Sequence, residues 1–169
     1  MATTTSTDTA HGRPARLPPR WFIRAFWVGH RALYTATGGR VGLRRPGPGR
    51  WGMCCLRTVG RRTGLERRAI IAYLEDGDDL VLMAMNGWAA ADPAWFLNLR
   101  AHPDVTVDLP DGRRRVVARI VEGEERARLW ARWQAVDRGR DEYAARRAST
   151  PLIVLSPAPV APPVAGPAR

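Results

Sequence analysis

Between Trp51 and Ser156 the chain is a succession of short apolar runs, WGMCCLRT, RRAIIAYL, LVLMAMN, VTVDL, RRRVVARIV and LIVLS. Runs of this length bounded by turn residues read as β-strands, because alternate side chains point to opposite faces and can bury one or both of them. Three of the links are bare turn chemistry: Gly60-Arg-Arg-Thr-Gly64, Glu75-Asp-Gly-Asp-Asp79 and Pro110-Asp-Gly112. A crossover between parallel strands takes about a dozen residues or more, so these links can only join antiparallel neighbours. The expected fold class is α+β: a small, mainly antiparallel sheet of about six strands, closed as a barrel, with an N-terminal helix and further helices on its rim.

The rim helices follow from their start signals. Asp92-Pro93 to Ala101 is predicted as a helix with Asp92 as N-cap and Pro93 at the first helical position. Glu122 to Ala135 opens on acids that suit a helix N-terminus, and Asp141 to Arg147 offers a third helix. Upstream, residues 20–34 follow Pro18-Pro19 and place Trp21, Ile23 or Ala25, Val28 and Ala32 on one face, with Arg24 and Arg31 turned away. This is a basic, aromatic-rich amphipathic helix. Residues 1–19 are rich in Thr, Ala and Pro, and residues 157–169 form a proline-rich tail. Both have little to bury and are expected to be disordered, which leaves 20–156 as one domain.

Composition then removes whole classes of chemistry. All 27 basic residues are arginine, so Schiff-base catalysis and a P-loop lysine are excluded. Cys54 and Cys55 are adjacent and would point to opposite faces of a strand, which offers neither a structural disulfide nor a four-ligand zinc site. His11, His30 and His102 lie far apart without ligand spacing, so no metal is expected. No apolar run is long enough to cross a membrane as a helix, and the first residues do not resemble a secretory signal. The chain reads as cytoplasmic, with reduced thiols.

The net charge of +11 is concentrated at one end. Residues 1–68 hold fourteen arginines against Asp8 and Glu66, whereas the remainder is nearly balanced. Something anionic is expected to meet the first part of the chain: nucleic acid, an acidic membrane surface or an anionic cofactor. Nucleic acid would need aromatics interleaved with basic residues on an exposed sheet face, and LVLMAMN and RRAIIAYL offer none. Peripheral membrane contact through residues 20–34 stays open, although packing of that helix across the barrel mouth accounts for the same residues.

Two constellations are candidate sites. In the first, Gly60 and Gly64 permit a tight reversal with exposed backbone N–H groups, and Arg61 and Arg62 add forked donors that match phosphate or carboxylate oxygens. Antiparallel pairing returns Arg67 to the same turn. In the second, Met85, Asn86, Gly87 and Trp88 lie between a strand end and the Asp92-Pro93 helix, where backbone donors and a helix dipole converge on a ligand. The alternative reading for Met85 and Trp88 is core filling.

Taken together, Thr58-Val-Gly-Arg-Arg-Thr-Gly64, Glu75-Asp-Gly-Asp-Asp-Leu-Val81, Asn86-Gly87, Pro93-Ala-Trp-Phe-Leu-Asn-Leu-Arg-Ala-His-Pro103 and Val121-Glu-Gly-Glu-Glu-Arg126 resemble the deazaflavin-dependent nitroreductase family over residues 51–157. The resemblance implies a split β-barrel oxidoreductase that binds reduced coenzyme F-420 and passes a hydride to a small electrophile such as a quinone, enone or nitroaromatic. By matching positions, Arg61, Arg62, Thr63, Gly64 and Arg67 would hold the phosphate and polyglutamate end of the cofactor. Met85, Asn86 and Gly87 would lie along its chain and ring, with Trp88 and Trp27 in the substrate pocket. Serine is usual in the family where Met85 stands, and glycine where Trp88 stands.

A family tyrosine from the late helical segment sits by the substrate, and Tyr143 is the tyrosine of that region here, in a stretch one residue shorter than usual. Arg140 is the second catalytic candidate, as an electrostatic stabiliser of a developing oxyanion. These departures leave open a barrel that uses flavin mononucleotide, or no cofactor for a non-redox reaction, and a membrane-docking binding module. Barrels of this type often pair, so a homodimer is also expected to be accessible.

Overall fold

The computed structural model describes Gly29 and residues 42–85, 91–137 and 149–159. Six strands are present: β1 (Gly52–Val59), β2 (Glu66–Asp76), β3 (Asp79–Met83), β4 (Asp104–Leu109), β5 (Gly112–Val121) and β6 (Leu152–Pro157). They close into a barrel in the order β1-β2-β3-β6-β5-β4, and every pairing is antiparallel. Two helices lie wholly within the described residues, α1 (Ala94–Ala101) and α2 (Gly123–Val136). The barrel is the one the turn chemistry required.

Strict alternation sorts the apolar residues into two clusters on opposite sides of the sheet wall. Cys54, Leu56, Ile71, Tyr73, Leu80, Leu82, Val105, Val107, Val116, Ile153 and Leu155 point inward, joined by Phe96 and Leu99 from α1. Leu74, Val81, Met83, Val121, Leu152 and Val154 point outward and are covered by Leu129 and Trp133 of α2. The hydrophobic run LVLMAMN is thus buried on both faces because a helix lies over its outer side. Cys54 belongs to the inner cluster and Cys55 does not; both are fully buried and neither is in a disulfide. Gly52 is required by close approach: a Cβ there would stand 2.5 Å from the Tyr73 ring and 2.8 Å from Pro46.

Several boundaries differ from the sequence reading. α1 begins at Ala94 with Pro93 as its N-cap, so Asp92 stands one residue outside the cap position assigned to it. β3 ends at Met83 rather than Asn86: the Ala84 N–H still donates in register to the Pro151 carbonyl, but proline has no N–H to return the bond, and the Met85 N–H turns back to Met83. The tail starts later than residue 157: Pro157 closes β6, and the Ala158 N–H still bonds the Arg115 carbonyl. Of the helix expected at 20–34 only Gly29 is described, and it is helical; the helix expected at 141–147 lies outside the described residues.

Arginine–carboxylate pairs tie the surface together. Asp76, in the β2–β3 hairpin, accepts from Arg128 and Arg132 of α2 at 2.7 and 2.5 Å. Hydrogen bonding by Arg128 holds the Asp76 carboxyl below its ordinary range, Arg68 does the same for Glu66, and Arg114 for Asp111. Folded carboxyls depressed in this way contribute stability that is fully present above their unfolded values and is lost as pH falls through the folded ones. The melting temperature is therefore expected to hold from neutrality to about pH 4 and to fall below it. A Tm unchanged down to about pH 2 would show that these pairs contribute nothing.

Candidate functional site

The ends of β1, β3 and β5 and the starts of β2, β4 and β6 share one end of the barrel, and α1 lies there with Phe96 and Leu99 sunk into the inner cluster. The β1–β2 turn belongs to this end. Its Gly60 carbonyl accepts from the Thr63 and Gly64 amides at 3.1 and 2.7 Å, while the Gly60 N–H donates to Leu65 at 2.8 Å. Gly64 has φ +68, the left-handed region that suits glycine. A Cβ at Gly60 would meet Thr63 Oγ1 at 2.8 Å and the Leu65 carbonyl at 3.1 Å, so the reversal needs glycine there as well.

Arg61, Arg62, Thr63, Gly64 and Arg67 are all exposed. Arg67 pairs with Thr58 across the ladder, which brings it alongside the turn, and its guanidinium reaches only Thr63 Oγ1, at 3.5 Å. None of the three arginines is paired with a carboxylate among the described residues. Elsewhere Arg45, Arg57, Arg68, Arg113, Arg114, Arg119, Arg128 and Arg132 are all so paired. Three uncompensated guanidinium groups at one hairpin tip form a donor-only cradle for an anion.

The backbone contributes less than the sequence suggested. The amides of Gly60, Thr63 and Gly64 are used inside the turn, Leu65 donates to Thr63 Oγ1 at 3.4 Å, and the Arg61 N–H donates to Asn98 Oδ1 at 3.2 Å. The arginine side chains, not a nest of free amides, carry the anion-binding capacity.

Asn98 sits on α1 with 4% of its surface exposed, and its Nδ2 donates to Thr58 Oγ1 at 3.1 Å. Asn98 thus ties α1 to the turn and, through Thr58, to β1. A signal for it existed: Thr58 is a polar residue at an inward position of β1, and a buried hydroxyl needs a partner.

Met85 is half-buried against the outer cluster beside α2, so it fills the core on that side. Asn86, Gly87, Trp88, Trp27, Arg140 and Tyr143 lie outside the described residues. Tyr73 is buried in the inner cluster, and burial pushes its phenol up to about 12. Burial likewise raises the Cys54 thiol, which rules it out as a nucleophile near neutrality. Among the described residues no group of His, Cys, Asp and Glu could hold a metal ion, and no helix is long and apolar enough to cross a membrane. An open cleft of about 270 Å³ lies between α1 and the β5–β6 wall, lined by Phe96, Leu99, Arg100, Pro103, Ala118 and Ile120 among others. None of the sequence-predicted site residues lines it.

Comparison with known proteins agrees with this geometry. A family model described as F420H(2)-dependent quinone reductase matches residues 27–157. A Mycobacterium tuberculosis (H37Rv) protein named F420H(2)-dependent quinone reductase is 33% identical over 142 residues, covering 80% of this chain and 94% of its own. Among solved structures, an F420-H2 dependent reductase aligns with TM-score 0.59 at 24% identity over 69% of this chain and 99% of its own. A second, described as a domain-swapped dimer, aligns with TM-score 0.60 at 25% identity over 82% of this chain and the whole of its own.

Proposed function

The chain belongs to the F420H(2)-dependent quinone reductase family, and from that premise we propose that it passes a hydride from reduced coenzyme F-420 to a quinone-type acceptor. The observation that carries this reading is the set of unpaired arginines, Arg61, Arg62 and Arg67, at the turn where a phosphate- and carboxylate-bearing cofactor needs donors. Residues present there fit such a group: residues 60–65 contain no acid, and the neighbouring Glu66 is already taken up by Arg57 and Arg68. When bound, the deazaflavin supplies the hydride; the chain supplies position and charge.

Arg61, Arg62 and Arg67, with Thr63 and Gly64, hold the anionic end. Asn86 and Gly87, which come next in the sequence after Met85, are assigned to the cofactor's chain and ring, and Met85 itself packs on the outer cluster. Trp88 and Trp27 border the acceptor. Arg140 stabilises negative charge developing on the acceptor oxygen, and a proton reaches that oxygen from water or from the Tyr143 hydroxyl. The relative described as a domain-swapped dimer supports pairing of this chain in solution.

A fluorescence titration of the purified protein with coenzyme F-420 and with flavin mononucleotide tests the cofactor, and oxidation of the reduced deazaflavin by a water-soluble naphthoquinone tests the acceptor. Saturable binding of the deazaflavin and quinone-dependent turnover are expected. Binding of flavin mononucleotide alone would replace the proposed cofactor. Tyr143→Phe is expected to slow turnover by less than the roughly 10²- to 10⁴-fold that loss of a general acid causes, because its segment is one residue shorter than the family's. Abolished turnover with cofactor binding intact would make Tyr143 the proton donor.

A further inference from the structure

We propose that Asn98 is a positioning residue for the cofactor: a single buried carboxamide that fastens the arginine turn to the barrel-end helix and so fixes where the anion-binding side chains start from. The proposal rests on the functional reading above. Asn98 accepts from the Arg61 N–H at 3.2 Å and donates to Thr58 Oγ1 at 3.1 Å. The first contact sets the peptide plane at the base of Arg61 and Arg62. The second holds Thr58, which is the ladder partner of Arg67. One side chain therefore touches both the peptide at the base of Arg61 and the β1 residue that faces Arg67 across the ladder.

The Asn98 contacts differ in kind from the hydrogen bonds made inside the turn. Those made by the Gly60 amide and carbonyl, by Leu65 and by Arg67 all lie within the hairpin, and they would survive if the turn swung as a unit. The Asn98 contacts join the turn itself to α1, whereas Arg57 joins the base of the same hairpin to Asp108 of β4. α1 can serve as the fixed point because Phe96 and Leu99, on either side of Asn98 in sequence, are buried in the inner cluster at 2% and 3% exposure. An amide is also the fitting group. It must accept at one end and donate at the other, a division that an apolar side chain cannot make and that would otherwise leave a buried hydroxyl unpartnered.

The experiment measures oxidised coenzyme F-420 binding by fluorescence in wild type, Asn98→Ala, Asn98→Asp, Thr58→Ser and Thr58→Val, with melting temperature and hydrogen exchange of the 58–68 segment followed in parallel. Asn98→Ala is expected to weaken binding by about tenfold, to speed exchange of the turn amides without ligand, and to leave turnover at saturating cofactor close to wild type. Thr58→Ser keeps the hydroxyl and is expected to bind as wild type, whereas Thr58→Val loses affinity.

Asn98→Asp is the discriminating variant. A carboxylate can still accept from Arg61 and from the Thr58 hydroxyl, but it places negative charge behind an anion site. Its affinity relative to wild type is expected to recover as the pH is lowered and the carboxyl is neutralised, a dependence that a purely structural tie would not show. Wild-type binding and unchanged exchange in both Asn98 variants would overturn the proposal. Failure of the wild type itself to bind the deazaflavin would instead overturn the functional reading on which it rests.

Discussion

Replacing Arg61 and Arg62 together by alanine is expected to weaken coenzyme F-420 binding by about a hundredfold or more while leaving the melting temperature near wild type. Charge-assisted hydrogen bonds to phosphate or carboxylate contribute roughly 1.5–3 kcal/mol each where they are made. Exposure of both side chains places them at the lower part of that range, since solvent and salt screen them. Two such groups still account for about two orders of magnitude. Stability should not follow, because neither guanidinium has a carboxylate partner among the described residues.

The contrast is Arg57, whose guanidinium is 12% exposed and held by Asp108 at 2.7 Å and Glu66 at 3.0 Å. Asp108 has a second partner in Arg113. Removing Arg57 would leave a largely buried carboxylate short of a partner and should cost stability rather than affinity. The double variant should also flatten the dependence of cofactor affinity on salt. Unchanged affinity in Arg61→Ala/Arg62→Ala would remove this turn from the site.

The barrel was legible because its determinants are local. Period-2 runs, glycine and aspartate turns, and links too short for a crossover leave one family of topologies, and all six strands and both described helices stand within a few residues of where the sequence puts them. Local signals failed at the boundaries set by distant partners. Nothing in LVLMAMN says that Ala84 will face Pro151, which accepts its amide but has no N–H to carry the ladder further. Pro93 satisfies the rule for a first helical residue, yet its backbone at ψ 146 is extended and makes it the cap instead.

The arginine turn was legible in composition but not in hydrogen bonding. Gly60 and Gly64 do permit the reversal, yet which amides remain free depends on a side chain 37 residues away, Asn98. The same limit applies to Met85, whose role depends on α2 covering the outer sheet face, a fact of tertiary packing. Charge asymmetry pointed to an anionic partner in kind but not to a place; half of the described arginines lack a carboxylate partner, and Arg61, Arg62 and Arg67 stand out among those because they gather at one hairpin tip.

The complementary perturbation acts on stability. Trp133 of α2 is fully buried against Leu74, Val81, Met83 and Val154 on the outer face of the sheet. Truncating a tryptophan in such a place costs roughly 3–5 kcal/mol, from lost transfer free energy and from the cavity left behind. That is a large share of the roughly 5–15 kcal/mol that holds a domain folded, and at about 2–4 °C per kcal/mol for a chain of this size it corresponds to a fall in Tm on the order of 10 °C. The arginine turn leans on the inner cluster through α1, on the other side of the sheet wall. Cofactor affinity of Trp133→Ala, measured well below its melting temperature, is therefore expected to stay within about threefold of wild type. Turnover should fall further than affinity, because α2 leads directly into the segment that bears Arg140 and Tyr143, and a loosened helix sets their starting point less firmly. Loss of cofactor binding in step with stability would mean that the two clusters do not act independently, and a Tm change of only a degree or two would mean that α2 is not what seals the outer face.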